Sequence, residues 1–141
     1  MTALVKQLHV PAPCERAFEL FTARMGQWWP LATHSVGAAD AVDVTVQGRL
    51  GGDIVEQLRD GSTSVWGTIT KWDPPHAVAF TWHPGREPRE ATHVEVRFTP
   101  HDHGTLLELI HTGWDARPDA AEARHNYDSG WTFVLSHLTP A

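Results

Sequence analysis

DAAEARHNYDSGWTFVLSHL, residues 119–138, is the stretch on which the fold turns. Ala120, Ala123, Tyr127, Trp131, Val134, Leu135 and Leu138 recur at helical spacing and make one apolar stripe over about five turns. Asp119 with Glu122 three residues on has the pattern of a capping box, which would start the helix there. A rod of that size, roughly 30 Å long, has to bury its aromatic stripe against something equally large. Gly130 sits inside it, where glycine costs about 1 kcal/mol relative to alanine. The spacing therefore predicts a close approach to the backbone at Gly130, by a strand side chain or the Trp28-Trp29 segment in preference to a ligand.

Upstream the chain reads as a meander. Val42, Val44 and Val46 share one face of a strand, Gly48, Gly51 and Gly52 bend into a second strand over residues 53–58, and Asp60-Gly61 is a hairpin signal. Further strands follow over 64–73, 77–82, 91–99 and 105–111, punctuated by Pro74-Pro75, PGREPRE and HDHG. Six short strands in series imply an antiparallel sheet, to which an alternating segment from Leu4 to Val10 adds a seventh. After Pro11, the face made by Cys14, Ala17, Phe18, Phe21 and Met25 predicts a short amphipathic helix ending near Gly26. Residues 28–40 read as a short helical turn and a loop. The fold class expected is α+β: a twisted sheet whose concave face takes the C-terminal helix and encloses a space.

Composition narrows the function classes. Seven tryptophans in 141 residues, several in the runs GQWWP, VWGTITKWDPP and FTWHP, are large rigid rings suited to walling a pocket. One domain over residues 1–141 is expected, large enough to need no metal or disulfide, and the lone Cys14 has no intrachain partner. Seventeen acidic against eleven basic residues give a net charge of -6 with no Lys/Arg cluster, which disfavours nucleic acid. No segment approaches the ~18 apolar residues of a membrane span, and the N-terminal MTALVKQLHV is unlike a signal peptide, so a cytoplasmic location is expected. The ten histidines are scattered without metal-ligand spacing, and no nucleophile or phosphate-loop motif is present. No cofactor is expected.

The runs VPAPCERAFELFT, WWP, GGDIVEQLRDG, WGTITKWDPPHAVAFTW, EATHVEVRFTP, GTLLELIHTGW and YDSGWTFVLSHL, in that order, resemble the activator-of-heat-shock-ATPase homologue family. That family lies within the helix-grip superfamily, the lipid-transfer (START), birch-pollen-allergen and polyketide-cyclase-like domains also called SRPBCC. The likeness runs from about Val5 to Leu138. It implies a curved antiparallel sheet of about seven strands around a long C-terminal helix, with two short helices after the first strand. It also implies an elongated cavity, used across the superfamily for lipids, polyketides or flavonoid-like molecules and sometimes for cyclase or hydrolase chemistry. Fold alone does not choose among these.

Strand parity supplies candidate site residues. Glu56 shares a face with Ile54 and Leu58; a carboxylate on an apolar surface is disfavoured unless paired, which makes it a candidate polar anchor for a ligand. Val78, Phe80 and Trp82 share an inner face, as do Val94, Val96 and Phe98. On 105–111, Glu108 is harder to bury than Thr105, which places His111 inside. On 64–73, Lys71 argues that Trp66, Thr68, Thr70 and Trp72 form the inner face.

Three functions follow as expectations. In the leading one, a cavity lined by Trp66, Phe80, Trp82, His111, Tyr127 and Trp131, with Glu56 as polar contact, binds a flat or elongated hydrophobic molecule and carries no catalytic residue. The second is a cyclase or dehydratase using Glu56 and His111 as base and acid. The third, from the resemblance, is a co-chaperone stimulating the heat-shock-protein ATPase. The expected partner is thus a small hydrophobic molecule, with a homodimer and a chaperone partner left open.

Overall fold

The computed structural model describes residues 1–138, so the last three residues of the domain expected over 1–141 lie outside it. Seven antiparallel strands form one sheet: β1 (Leu4–Val10), β2 (Ala41–Val46), β3 (Asp53–Leu58), β4 (Thr63–Asp73), β5 (Ala77–Trp82), β6 (Thr92–His101) and β7 (Gly104–Thr112). Their order is β1-β7-β6-β5-β4-β3-β2, a continuous meander closed by β1 against β7. α1 (Cys14–Phe21) and α2 (Met25–Trp28) follow β1, and α3 (Ala120–Leu135) ends the described chain. This is the helix-grip architecture that the resemblance implies, and the twisted sheet with a final helix that the alternating segments and the apolar stripe predict.

The concave face is built by register. Val94 lies opposite Phe80 and His111, Val96 opposite Val78 and Leu109, and Phe98 opposite Leu107, so the first two inward rows continue across three strands and the third across two. All of these side chains are buried, as are Thr105 and His111 on the same face of β7. Phe18 and Phe21 of α1 close one end of the core, each packing edge-on against Phe98 with ring centroids 5.3 and 6.2 Å away.

β4 departs from simple alternation. Ile54 pairs with Gly67 but Val55 with Val65, and Ile69 pairs with Phe80 but Lys71 with Ala79, so Trp66 and Thr70 are the extra residues of two bulges. Each insertion reverses the side-chain parity downstream of it. The inward face is therefore Trp66, Ile69 and partly buried Trp72, while Thr70 is exposed, which corrects the expected Trp66-Thr68-Thr70-Trp72 face. Gly67 lies beside the first bulge because a Cβ there would fall 1.7 Å from the Thr81 carbonyl oxygen.

Two helix expectations are corrected as well. α1 stops at Phe21: Thr22 still gives its N–H (3.0 Å) and its hydroxyl (2.7 Å) to the Phe18 carbonyl, but its φ of -105° and ψ of -85° leave the helical region, and the chain becomes helical again only at Met25. In α3 the Asp119 carboxylate makes no cap, since Arg117 holds both its oxygens at 2.8 Å. The helix has 16 residues, which makes it about 24 Å long. Among the described residues no helix is long and apolar enough to cross a membrane.

Candidate functional site

Five parts of the chain surround a cavity of about 480 Å³: the segment from Trp29 to Val36, β4 through Trp66, β5 through Trp82, the turn at Pro84-Gly85, and α3 from Asn126 to Val134. Its wall is aromatic and continuous. The Trp29 ring centroid lies 5.1 Å from Trp66 and 5.9 Å from both Trp82 and Trp131, while Trp82 lies 5.5 Å from Trp66 and from Trp131. Tyr127 stacks on Trp131 at 6.1 Å. Such pairs contribute about 0.5–1.5 kcal/mol each beyond their buried area.

Every indole N–H of this wall is used inside the protein. Trp29 donates to the His34 carbonyl at 2.7 Å, Trp66 to Glu56 Oε1 at 2.8 Å, Trp82 to the Tyr127 hydroxyl at 3.2 Å, and Trp131 to His111 Nδ1 at 3.0 Å. An indole has one donor and no acceptor, so the four rings offer a ligand only carbon edges and π faces. Polar groups on the lining come instead from Thr33, His34, Ser35, Asn126 and Tyr127. Burial, then the nearby His137, lowers the pKa of His34, and its ring stacks on Phe133 at 4.8 Å. Burial raises the pKa of Tyr127, so its phenol stays protonated at neutral pH.

Of the residues singled out in the sequence, Trp66, Trp82, Tyr127 and Trp131 meet at this cavity; Glu56, Phe80 and His111 stand behind its wall. Fully buried Glu56 accepts the Val36 N–H at 2.9 Å, the Gly37 N–H at 2.8 Å and the Trp66 indole, so it ties the Trp29–Val36 segment to the sheet. His111 Nε2 lies 2.6 Å from Thr92 Oγ1, which lies 3.2 Å from the Trp82 carbonyl. Because Trp131 can only donate, Nδ1 is the acceptor, Nε2 carries the proton, and Thr92 passes its own hydrogen to Trp82. Desolvation, followed by Arg117 and His93, pushes the His111 pKa down to about 3, in keeping with this neutral tautomer. Phe80 packs between Phe21 and Trp82.

The pairing of Glu56 and His111 as base and acid is corrected by this arrangement. They stand on β3 and β7, with β4, β5 and β6 between them, and both are consumed by internal hydrogen bonds. Gly130 brings a second correction. A Cβ there would meet nothing within 4 Å, so neither a strand side chain nor Trp28-Trp29 comes up to this backbone. Gly130 lines the open cavity instead.

Trp29, residues 33–36, Pro84-Gly85 and Asn126 went unassigned in the sequence. Only the doubled tryptophan before Pro30 marked the first of them; the others sit on loops or on an exposed helix flank, where no period reports burial. A wider depression of about 630 Å³ beside Val65, His83 and Arg86 is shallow and open, and its Arg86 pairs with Glu90 at 2.8 Å. Among the described residues no group of three His, Cys, Asp or Glu side chains could hold a metal ion.

The family described as Activator of Hsp90 ATPase homolog 1-like protein matches residues 11–140. Among solved structures, the chain is similar to the anthrahydroquino-Gama-pyrone synthase Txn09 complexed with SUM, at 34% identity over 89% of this chain and 85% of that one, with a TM-score of 0.63. CalU16 from Micromonospora echinospora is 20% identical over 96% of this chain and 73% of its own, with a TM-score of 0.66. The Aha1 dimer from Colwellia psychrerythraea, solved in solution, is 18% identical over 99% and 94%, with a TM-score of 0.68. The last two likenesses speak to fold. No curated protein matches the chain.

Proposed function

The chain belongs to the Activator of Hsp90 ATPase homolog 1-like family, and from that premise we propose that it binds a flat, hydrophobic small molecule in the cavity between sheet and α3. The observation that carries this reading is the aromatic wall whose four indole donors all point into the protein. A surface of bare π faces recognises flat apolar rings and repels ligands that need hydrogen bonds along their length. The volume, about 480 Å³, falls in the usual range of roughly 300–1,000 Å³ for small-molecule sites. Of lipids, polyketides and flavonoid-like molecules, the flat polycyclic classes fit such a wall better than a flexible acyl chain. The 34% identical relative, named as a pyrone synthase, supports the same choice. Trp29, Trp66, Trp82, Tyr127 and Trp131 supply the contact surface, and the Asn126 amide and Tyr127 hydroxyl supply polar contacts at its margin.

Titration with 1,8-dihydroxyanthraquinone, quercetin and palmitate, followed by intrinsic tryptophan fluorescence and thermal melting, tests the proposal. The two planar probes are expected to quench the emission and raise Tm, by an amount equivalent to about 2.7 kcal/mol at a hundredfold excess over Kd. Absence of any effect from all three probes would refute binding of this kind.

The relative's name also favours a second reading, in which the bound molecule is chemically transformed. Glu56 and His111 do not serve it, which leaves Tyr127, a protonated phenol, as the acid at the cavity. Turnover of a polyketide substrate that Tyr127→Phe abolishes, with binding retained, is the result this second reading requires.

A further inference from the structure

We infer that Gly130 is a specificity-determining residue of the cavity: the bare helix backbone there is the surface against which the bound molecule lies. The inference rests on the binding reading above and adds where on α3 the ligand sits and how far it extends. Glycine is the poorest helix former after proline, yet Gly130 stands in the interior of the 16-residue α3. A glycine in such a place usually yields room to a neighbouring group of the same chain, as Gly67 does for the Thr81 carbonyl. At Gly130 no such neighbour exists, since a Cβ would touch nothing within 4 Å. Nor is the backbone conformation one that only glycine adopts, because its φ is not positive. Alanine would therefore fit, favour the helix and clash with nothing.

What the glycine leaves is open space inside the cavity, between Tyr127 one turn earlier and Val134 one turn later. Its other wall is the indole cluster of Trp29, Trp66 and Trp82. A planar molecule that reaches from those rings to α3 contacts the peptide at Gly130 directly. A side chain at this position would occupy the same space, so the residue sets the largest ring system that enters.

The test compares wild type, Gly130→Ala, Gly130→Leu and, as a control for added bulk elsewhere on α3, Ser129→Leu, with 1,8-dihydroxyanthraquinone as probe. Ser129 is exposed and lies off the cavity. Without probe, Gly130→Ala is expected to melt about 4 °C higher than wild type. With probe, Gly130→Leu is expected to bind at least tenfold more weakly, Gly130→Ala a few-fold more weakly, and Ser129→Leu as wild type. Equal affinity of wild type and Gly130→Leu overturns the inference while leaving the binding reading standing; lack of probe binding by wild type overturns both. A lowered Tm in Gly130→Ala also overturns it, since the glycine would then be serving the fold, and this readout holds even if Gly130→Leu fails to fold.

Discussion

At the scale of single residues, two fully buried ionisable groups, His111 and Glu56, serve as fixtures. His111 accepts from Trp131 and donates to Thr92, so the neutral ring is the only form that satisfies both neighbours. Its folded pKa, about 3, lies below the ordinary value of 6.5, so between those limits the unfolded chain binds a proton that the native state refuses. The stability that His111 contributes is thus fully present above pH 6.5 and declines as pH falls, by about 1.4 kcal/mol per unit, until about pH 3. Urea unfolding at pH 7, 6 and 5 is expected to show stability falling more steeply with pH in wild type than in His111→Gln, with the difference approaching this slope below pH 6; the variant is also less stable at pH 7. Parallel slopes would mean that His111 titrates normally in the folded protein. Glu56 is the second fixture. In Glu56→Gln one carboxylate oxygen becomes a donor facing N–H groups, which is expected to cost about 1–3 kcal/mol, read from the urea midpoint. The inward position of both residues was legible from strand parity, but their partners were not. No period in the chain connects residue 56 with the amides of Val36 and Gly37, twenty and nineteen positions away.

At the scale of elements, strands announce themselves wherever alternation is unbroken and turns are marked by Pro or Gly. Hence β1, β3 and β5 end where the sequence places their ends, and β4, β6 and β7 differ by only one or two residues at an end. β4 is where this reasoning fails, because a one-residue insertion is invisible in a pattern of ordinary strand formers and reverses everything after it. The Asp119–Glu122 pattern misleads for a related reason: Arg117, two residues away, outcompetes the helix N-terminus for the carboxylate. Gly67 yields the prediction that belongs here. The atom a Cβ would strike is the Thr81 backbone oxygen, which cannot rotate away, so the β4–β5 pairing must open or shift. Gly67→Ala is therefore expected to destabilise the protein by about 3 kcal/mol or more. A Gly67→Ala protein with wild-type Tm would show that the two strands separate freely.

At the scale of the whole molecule, the cavity has walls of unequal strength. β5, β6 and β7 are locked by ladders across their full length, and α3 is tied to the N-terminal strand region by Lys6–Asp128 and by Arg124 on the Thr2 and Ala3 carbonyls. The segment from Trp29 to Gly37 belongs to no ladder; it is held by the Glu56 carboxylate, by the Trp29 ring among the other indoles, and by the His34–Phe133 stack. Its backbone hydrogen bonds are local turns, such as His34 N–H to the Pro30 carbonyl, and a segment fastened to the sheet through side chains opens at lower free energy than the sheet beneath it. The amides of Val36 and Gly37, both bonded to Glu56, report that opening directly. In native-state hydrogen exchange they are expected to exchange with an opening free energy several kcal/mol below that of the β6–β7 amides, and to slow when 1,8-dihydroxyanthraquinone is added. Exchange of Val36 and Gly37 only with global unfolding would show that this wall stays shut in the native protein. A ligand would then have to enter between Pro84-Gly85 and the exposed flank of α3 at Asn126.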